Sequence, residues 1–270
     1  MAIITISRGS ASGGLLLAQG LSEKLGYPLV SRQDVIQAAS KYGVSVERLQ
    51  EIMLKPLGFW ERFQHERWQY LTFVQEALCD RARKGRIIYY GNAGHLLLRD
   101  ISHVLCVRLI APVDFRARML MERENMTHGD AIHYIEQMDR QRKEWTRYLY
   151  GVDWLDPSLY DLTINLKTLE VEGAVEVVAT AVQREEFQPT DESRSAMENL
   201  YLASRVRAAL AADENTASAE VDVQAEGDVV YLKGRVRPAS IVESVIQVAG
   251  KVEGVRQVNR GDLDSPDYTV

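Results

Sequence analysis

The stretch from Ile3 to Leu25 constrains the fold most, because it joins a short apolar run, a turn of small residues and an amphipathic helix. Residues 2–7 are rich in Ile and Thr, as in a buried strand, and residues 14–25 carry leucines at helical spacing before Gly26, a typical C-cap. The N-terminus of a helix offers free N–H groups and the positive end of the helix dipole, which attract phosphate. This stretch therefore predicts an anion-binding loop.

The loop departs from the standard phosphate-binding pattern G-x-x-x-x-G-K-[ST], in which lysine contacts the phosphates and the hydroxyl residue contacts Mg²⁺. Arg8 stands at the first glycine, Gly14 at the lysine and Leu15 at the hydroxyl residue, whereas Gly13 matches. We expect the loop to hold phosphate through its backbone, with Arg8 as a substitute cation. The residues predicted to bind nucleotide are Arg8, Gly9, Ser10, Ala11, Ser12, Gly13 and Gly14.

The pattern of strands and helices continues as far as residue 183. Further strands are predicted at residues 28–30, 86–92, 103–111 and 160–166. Helices are predicted from Arg32 toward Lys41 with Ser31 as the N-cap, between Val44 and Arg83, over 115–148 and over 171–183. Alternating strands and helices predict an α/β layer with a mostly parallel sheet. The longest helix before Arg83 has an apolar face that includes Phe63, Tyr70, Val74 and Leu78.

A second region follows a change in composition. Residues 184–197 lack periodicity and concentrate charge, Ser, Thr and Pro, which is typical of a linker. Beyond them the order helix, two strands, helix and strand predicts a small α/β domain. The predicted organisation is residues 1–183, a linker over 184–197, a small domain over 198–264 and a tail over 265–270.

Bulk properties exclude some functions. The net charge of −6 argues against nucleic-acid binding. No segment approaches the ~20 apolar residues of a membrane span, and the two cysteines, Cys79 and Cys106, fit a reducing compartment. A cytoplasmic location is expected. No His, Cys, Asp and Glu residues have the spacing of a metal site, so none is predicted.

Three ordered blocks carry a resemblance to the cytidylate kinase-like family, a branch of the P-loop nucleoside monophosphate kinases. They are ITISRGSASGG with LAQGLSEKLGYPLVSR, then IIYYGNAGHLLLRD at residues 87–100, then MDRQRKEWTRYLYGVDWLDPSLYDLTINL at residues 138–166. The family also has Gly-Gly in place of Gly-Lys. The resemblance implies a parallel-sheet kinase core that binds ATP at the loop and a nucleoside monophosphate, CMP or dCMP by the family's name, opposite it.

The resemblance also implies roles for particular residues. A helical lid would bring Arg140, Arg142 and Lys143 onto the transferring phosphate, with Asp139 either orienting an arginine or assisting magnesium. Arg32, Asp34 and Asn92 would meet the acceptor nucleotide. Tyr148, Tyr150 and Trp154 suit a cap on the lid or an interface, including one between two copies of the chain.

Several departures leave the activity open. Leu15 follows Gly-Gly where the family has a basic or polar residue, Gly91-Asn92 replaces a Gly-Arg pair, and no carboxylate follows the 86–92 strand to bind Mg²⁺. Each lost charged contact can be worth about 1–3 kcal/mol. Two hypotheses remain: an ATP-dependent nucleoside monophosphate kinase, and a catalytically degenerate nucleotide or anion sensor.

Residues 198–264 resemble a BON domain, on the residues VRAALAAD, VDVQAEGDVVYLKGRV and IVESVIQVAGKVEGVRQVNR. The resemblance implies a non-catalytic module that binds phospholipid, a small ligand or a protein partner. In the first hypothesis this module tethers or regulates the kinase, and in the second it passes the signal to a partner.

Overall fold

The computed structural model describes residues 2–54, 64–91, 93–219, 221–236 and 241–264. It divides into two compact units. The first unit contains residues 1–34 and 84–190, and the second unit contains residues 35–83 and 191–270.

The sheet of the first unit is parallel throughout, as predicted. Its strands are β1 (Ile3–Arg8), β2 (Leu29–Ser31), β3 (Ile88–Tyr90), β4 (Val104–Ile110) and β5 (Leu162–Asn165). They lie in the order β2-β3-β1-β4-β5, with β1 paired to β3 on one side and β4 on the other. The strands that follow β1 in the chain lie first on one side of it (β2 and β3) and then on the other (β4 and β5). In sheets with such a change of side, ligands bind at the carboxyl ends of the strands near that point.

The helices of the first unit connect these strands. They are α1 (Gly14–Leu25), the start of α2 (Arg32–Ala39), the short α5 (Gly94–Leu97), α6 (Val113–Glu124), α7 (His128–Tyr150) and α8 (Val171–Ala181). α1 and α8 pack closely, since a Cβ on Gly20 would lie 2.7 Å from Val175. The core under them combines Leu17 and Leu21 of α1 with the inward residues of β1 and β4.

The second unit combines helices from before residue 83 with the C-terminal part of the chain. Its helices are the remainder of α2, α3 (Val46–Leu54), α4 (Gln64–Ala82), α9 (Asp191–Ala212) and α10 (Val242–Gly250). Its sheet has β6 (Asp222–Glu226) antiparallel to β7 (Val229–Arg235), which is parallel to β8 (Gln257–Asp264). The order of elements from α9 to β8 is the predicted one.

The structure differs from the sequence predictions in two places. Residues 191–197, assigned to the linker, form the first turns of α9, because two acidic residues begin the helix and Ser193 and Met197 are buried. The helical segment 115–148 is two helices, interrupted where Asn125 takes a left-handed conformation and Thr127 caps α7 by accepting from the Asp130 N–H. Phe63, assigned to the apolar face before Arg83, lies outside the described residues.

No helix in the described part of the chain is both long and apolar enough to cross a membrane.

Candidate nucleotide-binding site

The loop between β1 and α1 forms an open cradle for an anion. Gly13 has a left-handed conformation (φ 81°) and precedes α1, which has neither a side-chain cap nor an acidic residue in its first turn. The first N–H groups of the helix therefore face outward without a competing carboxylate. The Ser12 hydroxyl donates to the Gly9 carbonyl at 3.0 Å and closes the turn.

The side chain of Arg8 lies beside Gly14, the residue at the lysine position of the standard loop. A Cβ on Gly14 would stand 1.9 Å from Arg8 Cδ and 2.8 Å from its Nε. The arginine side chain thus occupies the space beside the start of α1, and only glycine leaves room for it. The buried Nε of Arg8 has no hydrogen-bond partner. Burial lowers the pKa of Arg8, and the nearby charges of Arg123 and Arg32 act in the same direction.

Arg116 and Asp139 hold the backbone of the loop from the other side. Arg116 Nε donates to the Ser10 carbonyl at 2.7 Å, and its Nη2 lies 2.7 Å from Asp139 Oδ2. Asp139 Oδ1 accepts from the Ser10 N–H at 3.1 Å. The Arg116 guanidinium also covers Gly9, where a Cβ would meet it at 3.1 Å. A charged pair from α6 and α7 thus fixes both the N–H and the carbonyl of Ser10 in the loop.

Arg142 of α7 lies partly buried beside the same loop and donates to the Arg8 carbonyl. Burial lowers the pKa of Arg142 to about 10, and the charges of Arg8, Arg116 and Arg32 add to the effect, whereas Asp139 opposes it. A group of partly buried cations favours a bound anion, because desolvation of like charges is costly. We call Arg8, Arg32, Arg116, Arg123 and Arg142 the arginine cluster.

Aromatic residues stabilise this buried charge. The Arg142 guanidinium lies 5.6 Å from the Trp154 ring centroid, and Arg108 lies 5.4 Å from the same ring. The Tyr160 hydroxyl donates to the Trp154 carbonyl at 2.8 Å and lies 3.2 Å from Ser7 Oγ. The W-x-DPS-x-YDL segment therefore ties the end of β1 to the arginine of α7.

His95 packs on the far side of Tyr160. The two ring centroids are 4.6 Å apart, and both nitrogens of His95 are buried without a hydrogen-bond partner. Burial lowers the pKa of His95 to about 4, so the ring is neutral at neutral pH.

Two adjoining cavities border the loop. One, of about 420 Å³, is lined by Arg8, the loop from Ala11 to Gly14, Tyr90 and Arg123. The other, of about 1040 Å³, shares Leu16 and Met119 with the first and is lined by both apolar and charged residues of α1, α6 and the β5–α8 connection. Its apolar lining includes Phe115, Leu166, Leu169 and Val171. The smaller cavity combines the N-terminus of α1 with the guanidinium groups of Arg8 and Arg123, a combination that suits a phosphate group.

The structure brings some of the predicted site residues together and separates others. Arg142, Asp139 and Arg32 lie at the cluster, where the buried Nε of Arg32 has no hydrogen-bond partner. Arg140 and Lys143 are exposed on α7, and Lys143 pairs with Asp153 at 3.2 Å.

Asp34 and Asn92 complete the predicted set. The Asp34 carboxylate accepts from the N–H and hydroxyl of Ser31, at 2.7 and 2.6 Å, and so caps α2. Asn92 lies outside the described residues.

Sequence reasoning missed Arg116 and Arg123. Both lie on α6, in a charged helix that has the composition of an ordinary solvated face. The available signal was the position of α6, because it follows β4 directly and therefore begins at the carboxyl edge of the sheet beside the loop.

The family model described as the cytidylate kinase-like family matches residues 3–168, and the BON domain model matches residues 200–261. The chain belongs to the cytidylate kinase-like family. The fold agrees, since a parallel sheet carries the loop at its carboxyl edge. The resemblance inferred from the sequence is thus confirmed for the family and for the BON domain.

Individual relatives cover the same part of this cytidylate kinase-like chain. The cytidylate kinase of Methanothrix thermoacetophila is 31% identical over 185 residues, which span 67% of this chain and 98% of that protein. The cytidylate kinase of Ignicoccus hospitalis is 26% identical over 181 residues, spanning 66% of this chain and 97% of that protein. An uncharacterized protein from Eubacterium ventriosum, of known crystal structure, shares the fold with a TM-score of 0.53 at 20% identity, over 68% of this chain and 100% of that one.

Among the described residues, no group of three or more His, Cys, Asp or Glu side chains could hold a metal ion. Leu15 is 45% exposed at the position where the standard loop has its magnesium-binding hydroxyl, and the Asp139 carboxylate is engaged by Arg116 and Ser10. These residues do not fit a magnesium ion held by the protein.

Proposed function

We propose that the chain is an ATP-dependent nucleoside monophosphate kinase in which the arginine cluster replaces the lysine of the standard loop. The observation that carries the proposal is that Arg8 and Arg142 lie partly buried beside an uncapped helix N-terminus, with the further arginines of the cluster and the Asp139 carboxylate as their charged neighbours. A bound polyphosphate would supply the missing negative charge. Backbone N–H groups would hold it from one side and guanidinium groups from the other.

The donor would be ATP. Its phosphates would lie in the 420 Å³ cavity at the loop, and its base would pack against Phe115 and Leu169 in the adjoining cavity. The two cavities share Leu16 and Met119, so one molecule could span both.

The acceptor would be CMP or dCMP. The names of the relatives support this choice, because the chain covers almost the whole length of two proteins called cytidylate kinase. Arg32 at the start of α2 is the described residue best placed to pair with the acceptor phosphate, since its Nε is buried and has no hydrogen-bond partner.

The reaction would proceed by in-line transfer. An oxygen of the acceptor phosphate forms a bond to the γ-phosphorus of ATP, and the bridging β–γ oxygen leaves with the bonding electrons to give ADP. Arg8 and Arg142 would neutralise the charge that develops on the transferring group and the leaving oxygen. Asp139 orients Arg116 in this scheme. No step depends on a metal ligand from the protein.

The cellular setting follows from the chemistry. The two cysteines, Cys79 and Cys106, are free, and Cys79 is buried, which supports a reducing cytoplasmic compartment where ATP is available. The aromatic residues Tyr148 and Tyr150 near the end of α7 remain candidates for an interface between copies.

Calorimetric titration tests the proposal. ATP should bind in the presence and in the absence of Mg²⁺, and CMP should bind to the ATP-loaded or the free protein. Gly13→Val should abolish ATP binding, since Gly13 has a positive φ and a Cβ there would lie 3.2 Å from Leu166. Gly129→Ala is the matched control, because Gly129 lies in α7 with open space around it. Failure of ATP to bind the folded wild-type protein would refute the proposal.

One observation favours a second candidate, a nucleotide sensor without turnover. Leu15 places an exposed apolar side chain where a kinase loop has the hydroxyl that binds magnesium. A sensor would bind ATP through the same loop and the same arginines. It would differ in forming no ADP when CMP is added.

A further inference from the structure

The helix α9 has two buried faces, and each face packs against a different part of the chain. Leu202, Val206 and Leu210 belong to the core of the C-terminal domain, together with Val230 of β7 and Val245 of α10. A second stripe of buried residues, at helical spacing and outside that core, follows the other side of α9: Met197, Ser204, Ala208 and Ala211. A helix that covered only its own domain would leave this second stripe in water.

The second stripe is covered by α4. Gln69 Nε2 donates to the Ala211 carbonyl at 3.0 Å, and Ser204 hydrogen-bonds the buried thiol of Cys79. At the other end, the Arg83 guanidinium stacks 4.4 Å from the ring of Tyr201. Residue numbers fall along α4 as they rise along α9, so the helices are antiparallel. The contacts extend from Tyr201 to Ala211 along α9, which is about 10 residues or roughly 15 Å.

The contact between α4 and α9 is close and continues into the core of the C-terminal domain. Ser204, Ala208 and Ala211 are small, which lets the two helix backbones approach each other. Trp68 of α4 packs against the apolar cluster of the C-terminal domain. On its own side, α4 buries Tyr70, Phe73 and Leu78.

The same packing reaches the helices that follow Arg32. Tyr42 stacks on Phe73 of α4 with ring centroids 4.8 Å apart, and Lys41 pairs with the buried Glu76 at 2.8 Å. Burial raises the pKa of Tyr42, with Glu76 and Tyr201 of α9 adding to the effect. Lys41, Tyr42 and α4 therefore share one packed interior with α9.

We propose that the BON domain of this chain forms one cooperative unit with the helices between Val35 and Arg83, so that the described residues of 35–83 and 191–264 open and close together. In this unit, the partner that the BON domain binds is α4 of the same chain. Acceptor binding at Arg32, which begins α2, is thereby coupled to the stability of the C-terminal domain. The coupling to acceptor rests on the proposed function, whereas the cooperative unit does not.

Native-state hydrogen exchange on the full-length protein tests the cooperative unit. In increasing sub-denaturing guanidinium chloride, amides of α4 and of β7 should converge on one opening free energy, while amides of β1 and β4 follow another. Val230→Ala, in the C-terminal core, should speed exchange in α4 as well as in β7 by about 10–30-fold. Val178→Ala is the matched control, because Val178 is equally buried in α8 of the first unit and should leave α4 unchanged.

Two results would overturn the cooperative unit. In the wild-type protein, the amides of α4 could show an opening free energy of their own, or the same opening free energy as the amides of β1. In Val230→Ala, β7 could loosen while α4 kept its full protection. The wild-type measurement decides the matter even if the variant does not fold.

CMP is the probe for the coupling. At 100 times its Kd, CMP should slow exchange in both α4 and β7 by about 100-fold. Binding of CMP with no change in β7 would refute the coupling. If calorimetry shows that CMP does not bind, the coupling to this acceptor is refuted along with that part of the proposed function. Hydrogen exchange in guanidinium chloride still decides whether the cooperative unit exists.

Discussion

The contact between Arg8 and Gly14 makes a double-mutant cycle possible. Carbon atoms in contact normally lie about 3.5–4.0 Å apart, whereas a Cβ on Gly14 would lie 1.9 Å from Arg8 Cδ. Gly14→Ala therefore requires Arg8 to move by roughly 2 Å, given that normal spacing. The methyl group itself favours the helix, so the expected loss comes from displacing the arginine.

The magnitude follows from the bond that Arg8 would make to phosphate. A hydrogen bond to a charged group contributes about 1.5–3 kcal/mol, so Arg8→Ala should raise the Kd for ATP by about 10–150-fold. Gly14→Ala should raise it by a similar factor. The double variant should bind no more weakly than Arg8→Ala alone, because the second substitution has no arginine left to displace.

The assay is calorimetric titration with ATP, with thermal unfolding to show that each variant is folded. Gly129→Ala should leave the Kd unchanged, since it adds the same methyl group to a helix of the first unit with nothing nearby. If the two single effects simply add in the double variant, or if Gly14→Ala binds ATP as tightly as the wild type, Arg8 does not replace the lysine.

Three further predictions concern the residues around the loop. Asp139→Asn removes the charge that orients Arg116, and should lower the rate of phosphoryl transfer about 10–100-fold with a smaller effect on the Kd for ATP, as measured by steady-state kinetics beside calorimetry. Burial lowers the pKa of His95 to about 4, below the unfolded value of about 6.5, so the unfolded state binds more protons between these values. Stability should therefore fall by roughly 3 kcal/mol as pH drops through this window, and His95→Leu should remove that dependence in denaturant titrations at several pH values. Trp154→Leu should lower turnover several-fold by releasing Arg142, whereas Trp154→Phe should recover most of it, since phenylalanine keeps an aromatic face for the cation.

Each of these predictions has a result that contradicts it. Equal losses in Kd and rate for Asp139→Asn would mean that the carboxylate serves binding and not orientation. An unchanged pH profile in His95→Leu would show that another group causes the acid sensitivity, and the exposed His133 offers a matched control. If Trp154→Phe is as slow as Trp154→Leu, the ring does not hold the arginine through its aromatic face.

Local patterns predicted most of the fold. The apolar run of β1, the leucine spacing of α1 and Gly26 after it are strong signals, and the structure places each element within a residue or two of its prediction. Parallel pairing followed from the alternation of strands and helices. These features depend on neighbours in sequence, which a single chain displays directly.

The arginine cluster and the packing of α9 were harder to predict from the sequence. The sequence suggested Arg8 as a substitute cation, but the reason for Gly14 appears only when the side chain is seen across it. Arg116 reaches the loop from 106 residues away, and no local pattern distinguishes it from an exposed arginine. The second stripe of α9 is made of small residues, whose burial depends on the presence of α4 and not on their own hydrophobicity.

Phosphorus NMR of the purified protein with ATP and CMP tests the central claim most directly. The account predicts that ADP and CDP appear together in equal amounts, and that Arg8→Ala slows their formation at least 10-fold, by the lost charged hydrogen bond. If ATP remains intact in the presence of CMP and dCMP while calorimetry shows that it binds, the arginine cluster binds nucleotide without transferring phosphate, and the kinase assignment is wrong.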